Sequence, residues 1–209
     1  MITLAKRAGY CFGVRRAVQM AEDNAAPDNL LYAAGPLIHN RHVIEDLRKG
    51  GIITANSLEE IPDRARVIIR AHGVPPTDIT YLKKKGCTIL DATCPFVARI
   101  HKIVEEESEK GRAVLIFGKH GHPEVVGIAA RCKTPLIAET EEDLKEILQK
   151  HANSPLSVVC QTTFQKEICL KFVNIVKNTC NSPQIFDTIC NATDLRQSEA
   201  QALALRSDF

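Results

Sequence analysis

The sequence predicts an α/β protein made of a repeated unit with mainly parallel sheets. Two observations carry that reading. Short apolar runs, several of them β-branched, alternate with segments whose apolar residues recur every three and four positions. The chain also resembles itself, with Cys11 falling on Cys94 at an offset of 83 residues (94 − 11). Composition agrees with a packed core, since 44% of the 209 residues are hydrophobic and 25% are charged.

Taken along the chain, the stripe Val14, Ala17 and Ala21 predicts a first helix, and Leu30–Ala34 a first strand. Val67–Ala71 and Thr88–Leu90 read as strands, followed by a helix on Val97, Ile100 and Val104. Ala113–Phe117 is a fully apolar strand. Leu144, Ile147 and Leu148 mark the next helix, and Leu156–Cys160 the next strand. Ile168, Phe172, Ile175 and Val176 form another stripe, Gln184–Phe186 a short strand, and residues 195–206 a last helix.

The repeat organises these pieces. Val14 and Arg16 fall on Val97 and Arg99, Gly35 on Gly118, His39 on His122 and Ala55 on Ala138. Ser57 falls on Thr140, and each precedes acidic residues as a helix cap would. The register then slips, so that His72 corresponds to Thr162 and Asp91-Ala-Thr-Cys94 to Asp187-Thr-Ile-Cys190. The expected divisions are an opening strand and cysteine in 1–13, units at 14–94 and 95–187, and the start of a third, incomplete unit at 188–209.

Composition also limits function. A net charge of +2, with no Lys/Arg block, argues against nucleic acid. No run approaches the roughly 18 apolar residues of a membrane span, and no apolar segment follows Met1 as in a signal peptide. A reducing cytoplasmic setting is therefore expected, in which the eight cysteines are core residues, metal ligands or catalysts. There is no C-x-x-C pair, so a metal site must draw cysteines from distant segments.

In parallel α/β units, ligands bind beyond the C-terminal ends of the strands. The repeat puts His39, His72, Cys94, His122, Thr162, Thr163 and Cys190 there. If the units surround a pseudo-threefold axis, Cys11, Cys94 and Cys190 converge, and three thiolates suit an iron–sulfur cluster with one iron left open. Cys87, Cys132, Cys160, Cys169 and Cys180 are read as packing, and His42, His101, His120 and His151 as structural or solvent-facing. The acidic run at 105–109 is read as a solvated helix face.

Five motifs in one order sharpen the reading. They are Gly9-Tyr-Cys-Phe-Gly-Val, Asp91-Ala-Thr-Cys-Pro-Phe-Val, Gly121-His-Pro-Glu-Val, Gln161-Thr-Thr and Asp187-Thr-Ile-Cys-Asn-Ala-Thr. Together the chain resembles the 4-hydroxy-3-methylbut-2-enyl diphosphate reductase family of the methylerythritol phosphate route to isoprenoids. The resemblance implies three α/β units around a [4Fe–4S] cluster held by Cys11, Cys94 and Cys190. It implies His39, His72 and His122 as contacts to the substrate diphosphate, Glu124 as proton donor, and Thr162 and Thr163 in its relay and around the substrate. It implies reductive dehydroxylation to isopentenyl and dimethylallyl diphosphates, with a ferredoxin or flavodoxin as electron donor. The family's Ser-x-Asn loop and a further Ser, both diphosphate contacts, are not reached by Phe209. A shortened form, weakly active or inactive, is therefore expected.

Two rivals come from other classes. A metal-binding module without catalysis explains the cysteines but not Glu124 beside His122. Cys190-Asn-Ala-Thr-Asp-Leu-Arg196 has the C-x5-R spacing of a thiolate phosphatase loop, but it lacks glycine and leaves Cys11 and Cys94 unexplained. G-x-G-x-x-G and Walker A patterns are absent.

Overall fold

The computed structural model describes residues 3–38 and 40–206. It contains two four-stranded parallel sheets flanked by helices. The first comprises β1 (Leu31–Ala34), β2 (Ile52–Ala55), β3 (Arg66–Ile69) and β4 (Thr88–Asp91), in the order β2-β1-β3-β4. The second comprises β5 (Ala113–Phe117), β6 (Pro135–Ala138), β7 (Leu156–Cys160) and β8 (Gln184–Ile185), in the order β6-β5-β7-β8. The helices are α1 (Phe12–Glu22), α2 (Arg41–Lys49), α3 (Pro76–Lys84), α4 (Pro95–Glu109), α5 (Pro123–Ala129), α6 (Glu141–His151), α7 (Lys166–Thr179) and α8 (Ala192–Ala204).

Alternation along the strands builds a core on both faces of each sheet. Leu31, Ala33 and Ile68 join Ala17, Ala21 and Leu47 on one face, while Ala34, Val67 and Ile69 join Ile61 and Leu82 on the other. In β5, Leu115 and Phe117 point to α6 and α7 residues, and Val114 and Ile116 to α4 and α5 residues. Neither face meets water, which is why these strands read as apolar runs instead of alternating patterns.

The repeat is visible in backbone bonds. The Gly35 N–H donates to the Ala55 carbonyl (3.1 Å), and the Gly118 N–H to the Ala138 carbonyl (3.2 Å). Thr140 caps α6 through a reciprocal capping box with Asp143. Its counterpart Ser57 makes no cap bond, and only a single 3₁₀ turn, Leu58–Glu60, follows it. The expected helix start there is therefore corrected.

The edge strands β2 and β6 carried no sequence expectation. Each has four residues, with half-exposed positions that blur the pattern. The solvated reading of 105–109 also needs correction. Glu107 and Ser108 are buried, with Glu107 accepting from Ser157 Oγ (2.6 Å) and pairing with Arg112 (3.3 Å).

In both sheets the chain first moves one way (β1 to β2, β5 to β6) and then reverses past its starting strand. The reversal leaves a crevice at the C-terminal ends of β1 and β3, and of β5 and β7. The loops carrying His72, His122, Thr162 and Thr163 leave the sheets at these points, while Cys94 and Cys190 follow the outer strands β4 and β8.

Candidate active site

Each of three cysteines sits where a helix begins. Cys11 is the N-cap of α1 and Cys94 the N-cap of α4, neither spending its side chain on a cap bond. Cys190 immediately precedes Asn191, the N-cap of α8. Two are set by backbone bonds to the loops that follow β3 and β7. The Cys94 N–H donates to the Ala71 carbonyl (2.9 Å), and the Cys190 N–H to the Thr162 carbonyl (2.8 Å).

Distant contacts bring these helix starts together. Gly13, buried in α1, lies against Cys94: a Cβ placed on it would stand 2.5 Å from Cys94 Sγ. Glycine is the residue that permits so close an approach. The α8 helix docks on the opening segment, where Arg196 donates to the Gly9 carbonyl (2.6 Å). Glu199 accepts from the N–H groups of Lys6 (2.7 Å) and Arg7 (2.8 Å). Arg196 is thus engaged beside Cys11, which speaks against a phosphatase loop closing on Cys190.

Burial pushes the Cys94 thiol pKa up; the N–H groups of Phe96 and Val97 at the start of α4 oppose that. The neighbouring Cys11 and Cys190 thiols add to the rise. Among the described residues, no three His, Cys, Asp or Glu side chains converge on a point for one ion. Three cysteine thiols at three helix starts are a soft donor set of the kind that holds an iron–sulfur cluster.

The carboxylate of Glu124 is the second centre. Glu124 is 2% exposed, in the first turn of α5. Its Oε1 accepts from the Thr162 N–H (2.6 Å) and its Oε2 from the Thr162 hydroxyl (2.8 Å). Burial raises its pKa above the usual carboxylate value, outweighing the two Thr162 bonds that lower it. Thr162 thereby links Glu124 to Cys190 through its side chain, N–H and carbonyl.

His122 caps α5, its Nδ1 accepting from the Glu124 N–H (3.1 Å). This bond leaves Nε2 as the nitrogen that carries the proton in the neutral ring. Its ring meets that of His72 edge-on, with centroids 5.4 Å apart. Thr163 is exposed, and Gln161 Nε2 donates to its hydroxyl (2.9 Å). His39 lies outside the described residues.

The structure adds residues that carried no sequence expectation. Gln161 also accepts from the Lys119 N–H (3.0 Å), tying the β5 and β7 loops together. Gly118 makes room for this, since a Cβ there would meet Gln161 and Val125. Gln161 stood inside a quoted motif, which was the available signal. His101, read as structural or solvent-facing, is buried against Gly73 and Gly127 at the seam between the His72 loop and α5. Of the cysteines read as packing, Cys160, Cys169 and Cys180 are buried and Cys87 and Cys132 half-buried.

Comparison with known proteins places this geometry in context. The family model described as LytB protein matches residues 2–209. A 4-hydroxy-3-methylbut-2-enyl diphosphate reductase of Clostridioides difficile is 38% identical over 208 residues, covering 99% of this chain and 75% of that protein. A solved structure of (E)-4-hydroxy-3-methyl-but-2-enyl diphosphate reductase superimposes with a TM-score of 0.82 at 36% identity, over 99% of this chain and 74% of that one. The E-1-hydroxy-2-methyl-but-2-enyl-4-diphosphate reductase of Plasmodium falciparum gives a TM-score of 0.86 at 28% identity, over 96% of this chain and 64% of that one.

Proposed function

Because the chain belongs to the LytB protein family, we propose that it is an oxidoreductase that removes the hydroxyl of (E)-4-hydroxy-3-methylbut-2-enyl diphosphate. Two electrons and two protons convert this substrate into water and isopentenyl or dimethylallyl diphosphate. The single observation that carries the reading is the buried Glu124 carboxyl, held by Thr162, whose carbonyl in turn fixes Cys190.

Cys11, Cys94 and Cys190 would hold a [4Fe–4S] cluster, which when bound supplies electrons and a Lewis-acidic iron with one open position. Residues 14–94 and 95–187 are two repeated units around it, flanked by 1–13 and the start of a third unit at 188–209. A ferredoxin or flavodoxin delivers the electrons. Eight free thiols suit the reducing cytoplasm, where we place the protein. Among the described residues, no helix is long and apolar enough to cross a membrane.

The chain's own residues supply the proton and hold the substrate. Burial keeps a proton on Glu124 further up the pH scale, so its carboxyl can protonate the departing hydroxyl. Thr162 fixes both carboxyl oxygens and so sets their direction. His72 and His122, stacked edge to face, present ring N–H groups suited to a diphosphate, with His39 as a third. Thr163, oriented by Gln161, extends the relay towards the substrate.

The test is anaerobic purification followed by turnover with a reduced dye as electron source. Brown protein with iron and sulfide is expected. Glu124→Gln should keep the cluster and lose about 10²- to 10⁴-fold in kcat, the usual contribution of a general acid. Colourless protein after reconstitution, or undiminished turnover in the variant, would overturn the reading.

A further inference from the structure

Below the site loop lies a second pair of cysteines that the proposed reaction does not use. Cys160 ends β7, and Cys169 lies in the first turn of α7. Their sulfurs are 2.6 Å apart. A disulfide bond is about 2.04 Å long, so roughly half an ångström separates this contact from a covalent one. Both thiols line a cavity of about 390 Å³ whose wall also carries Lys166, Lys177, Phe186 and Asp187. Cys160 is 3% and Cys169 7% exposed, so the cavity is their route to solutes.

The eight residues between them, 161–168, include Gln161, Thr162 and Thr163. A bond between the sulfurs would therefore close a loop around the segment that grips Glu124. Cys160 is independently pinned to the segment leading to Cys190. Its N–H donates to Thr188 Oγ1 (2.7 Å), and its carbonyl accepts from that hydroxyl (2.8 Å). The strand side of the loop is thus anchored, and the α7 side is what a covalent bond would add.

We propose that Cys160 and Cys169 form a reversible disulfide by exchange with a small carboxylated disulfide, of the oxidised glutathione class, admitted through this cavity. Lys177 on its wall offers positive charge to such a carboxylate. Cys169 attacks first. It is the more exposed of the pair (7% against 3%) and lies in the first turn of α7, whose N–H end favours a thiolate.

The Cys169 thiolate, its proton released to solvent, attacks one sulfur of the oxidant. The oxidant's S–S bond breaks, a mixed disulfide forms on Cys169, and one thiolate leaves with the Cys160 proton. The Cys160 sulfur then attacks Cys169 Sγ and expels the second thiolate, which takes a proton from water. The pair loses two electrons and the oxidant becomes two thiols.

The sequence makes the test direct. Trypsin cleaves after Lys150, Lys166 and Lys171, which puts Cys160 on peptide 151–166 and Cys169 on peptide 167–171. Anaerobically purified protein is treated with oxidised glutathione, alkylated and digested. The two peptides should appear joined and two hydrogens lighter, and dithiothreitol should separate them. Cys160→Ala should stop at a stable glutathione adduct on Cys169. Two singly alkylated peptides, a lasting glutathione adduct in the unaltered protein, or Cys160 joined to another cysteine would overturn the proposal. None of these outcomes depends on turnover, so they are separable from a failure of the proposed activity.

Discussion

His101 offers a quantitative test of how the two halves meet. Its ring fills the space against Gly73, where an added Cβ would stand 2.6 Å from Cε1, and its buried Nε2 has no hydrogen-bond partner. Burial first, and the positive charge of Arg131 second, push its pKa down from 6.5 to about 4, against a smaller upward pull from Asp91. The folded protein therefore keeps His101 neutral across a range where the unfolded chain binds a proton. The sign follows: stability is fully present above the unfolded pKa and is lost as pH falls towards the folded one.

Between about pH 7.5 and pH 5, the unfolded His101 passes about 1.5 units below its pKa while the folded one stays neutral. At 1.36 kcal/mol per unit, this costs about 2 kcal/mol. For a chain of this size that corresponds to about 4–8 °C in Tm. The assay is urea unfolding at both pH values for the unaltered protein and for His101→Gln, which does not titrate. The unaltered protein should lose about 2 kcal/mol more than the variant. Equal losses would show that His101 is not a neutral buried residue and refute the argument.

Other predictions concern the site. Gly13→Ala puts a methyl 2.5 Å from Cys94 Sγ, so iron content after anaerobic reconstitution should fall severalfold, while far-ultraviolet circular dichroism stays close to that of the unaltered chain. Thr162→Val keeps the N–H to Glu124 Oε1 but removes the hydroxyl on Oε2. With a hydrogen bond to the neutral carboxyl worth about 0.5–1.5 kcal/mol, kcat should drop about 2- to 12-fold without loss of cluster. Cys94→Ser should abolish visible absorption, whereas Cys132→Ser should not; absorption retained in Cys94→Ser would remove that ligand assignment.

Much of the fold was legible because its signals are local. The run Ala113–Phe117 is apolar throughout and Leu156–Cys160 is apolar but for Ser157, and both form strands with those same bounds. The stripes on α1, α4, α6 and α7 recur with helical spacing and face the sheets. Where the signal was short or mixed, it failed. Edge strands β2 and β6 and the polar helix α2 carried no legible pattern, and Ser57 resembled a cap without acting as one. Glu107 looked solvated because charge runs usually are, yet Arg112 and Ser157 reach it across the sequence and hold it inside.

The site divides in the same way. The internal repeat pointed to Cys11, Cys94 and Cys190 at equivalent positions and to His39, His72, His122, Thr162 and Thr163 beyond strand ends, whereas Glu124 came from the family resemblance alone. Periodicity and repetition are properties of the chain read in one dimension. Which groups touch is a property of three-dimensional packing. Only the tertiary structure puts Thr162 on both oxygens of Glu124, Gly13 under Cys94 and Arg196 on the Gly9 carbonyl. It also seals His101 in the seam and brings Cys160 against Cys169. Those contacts join residues 9 to 187 positions apart, and their closeness follows from how helices and loops are pressed onto two sheets, which no local pattern records.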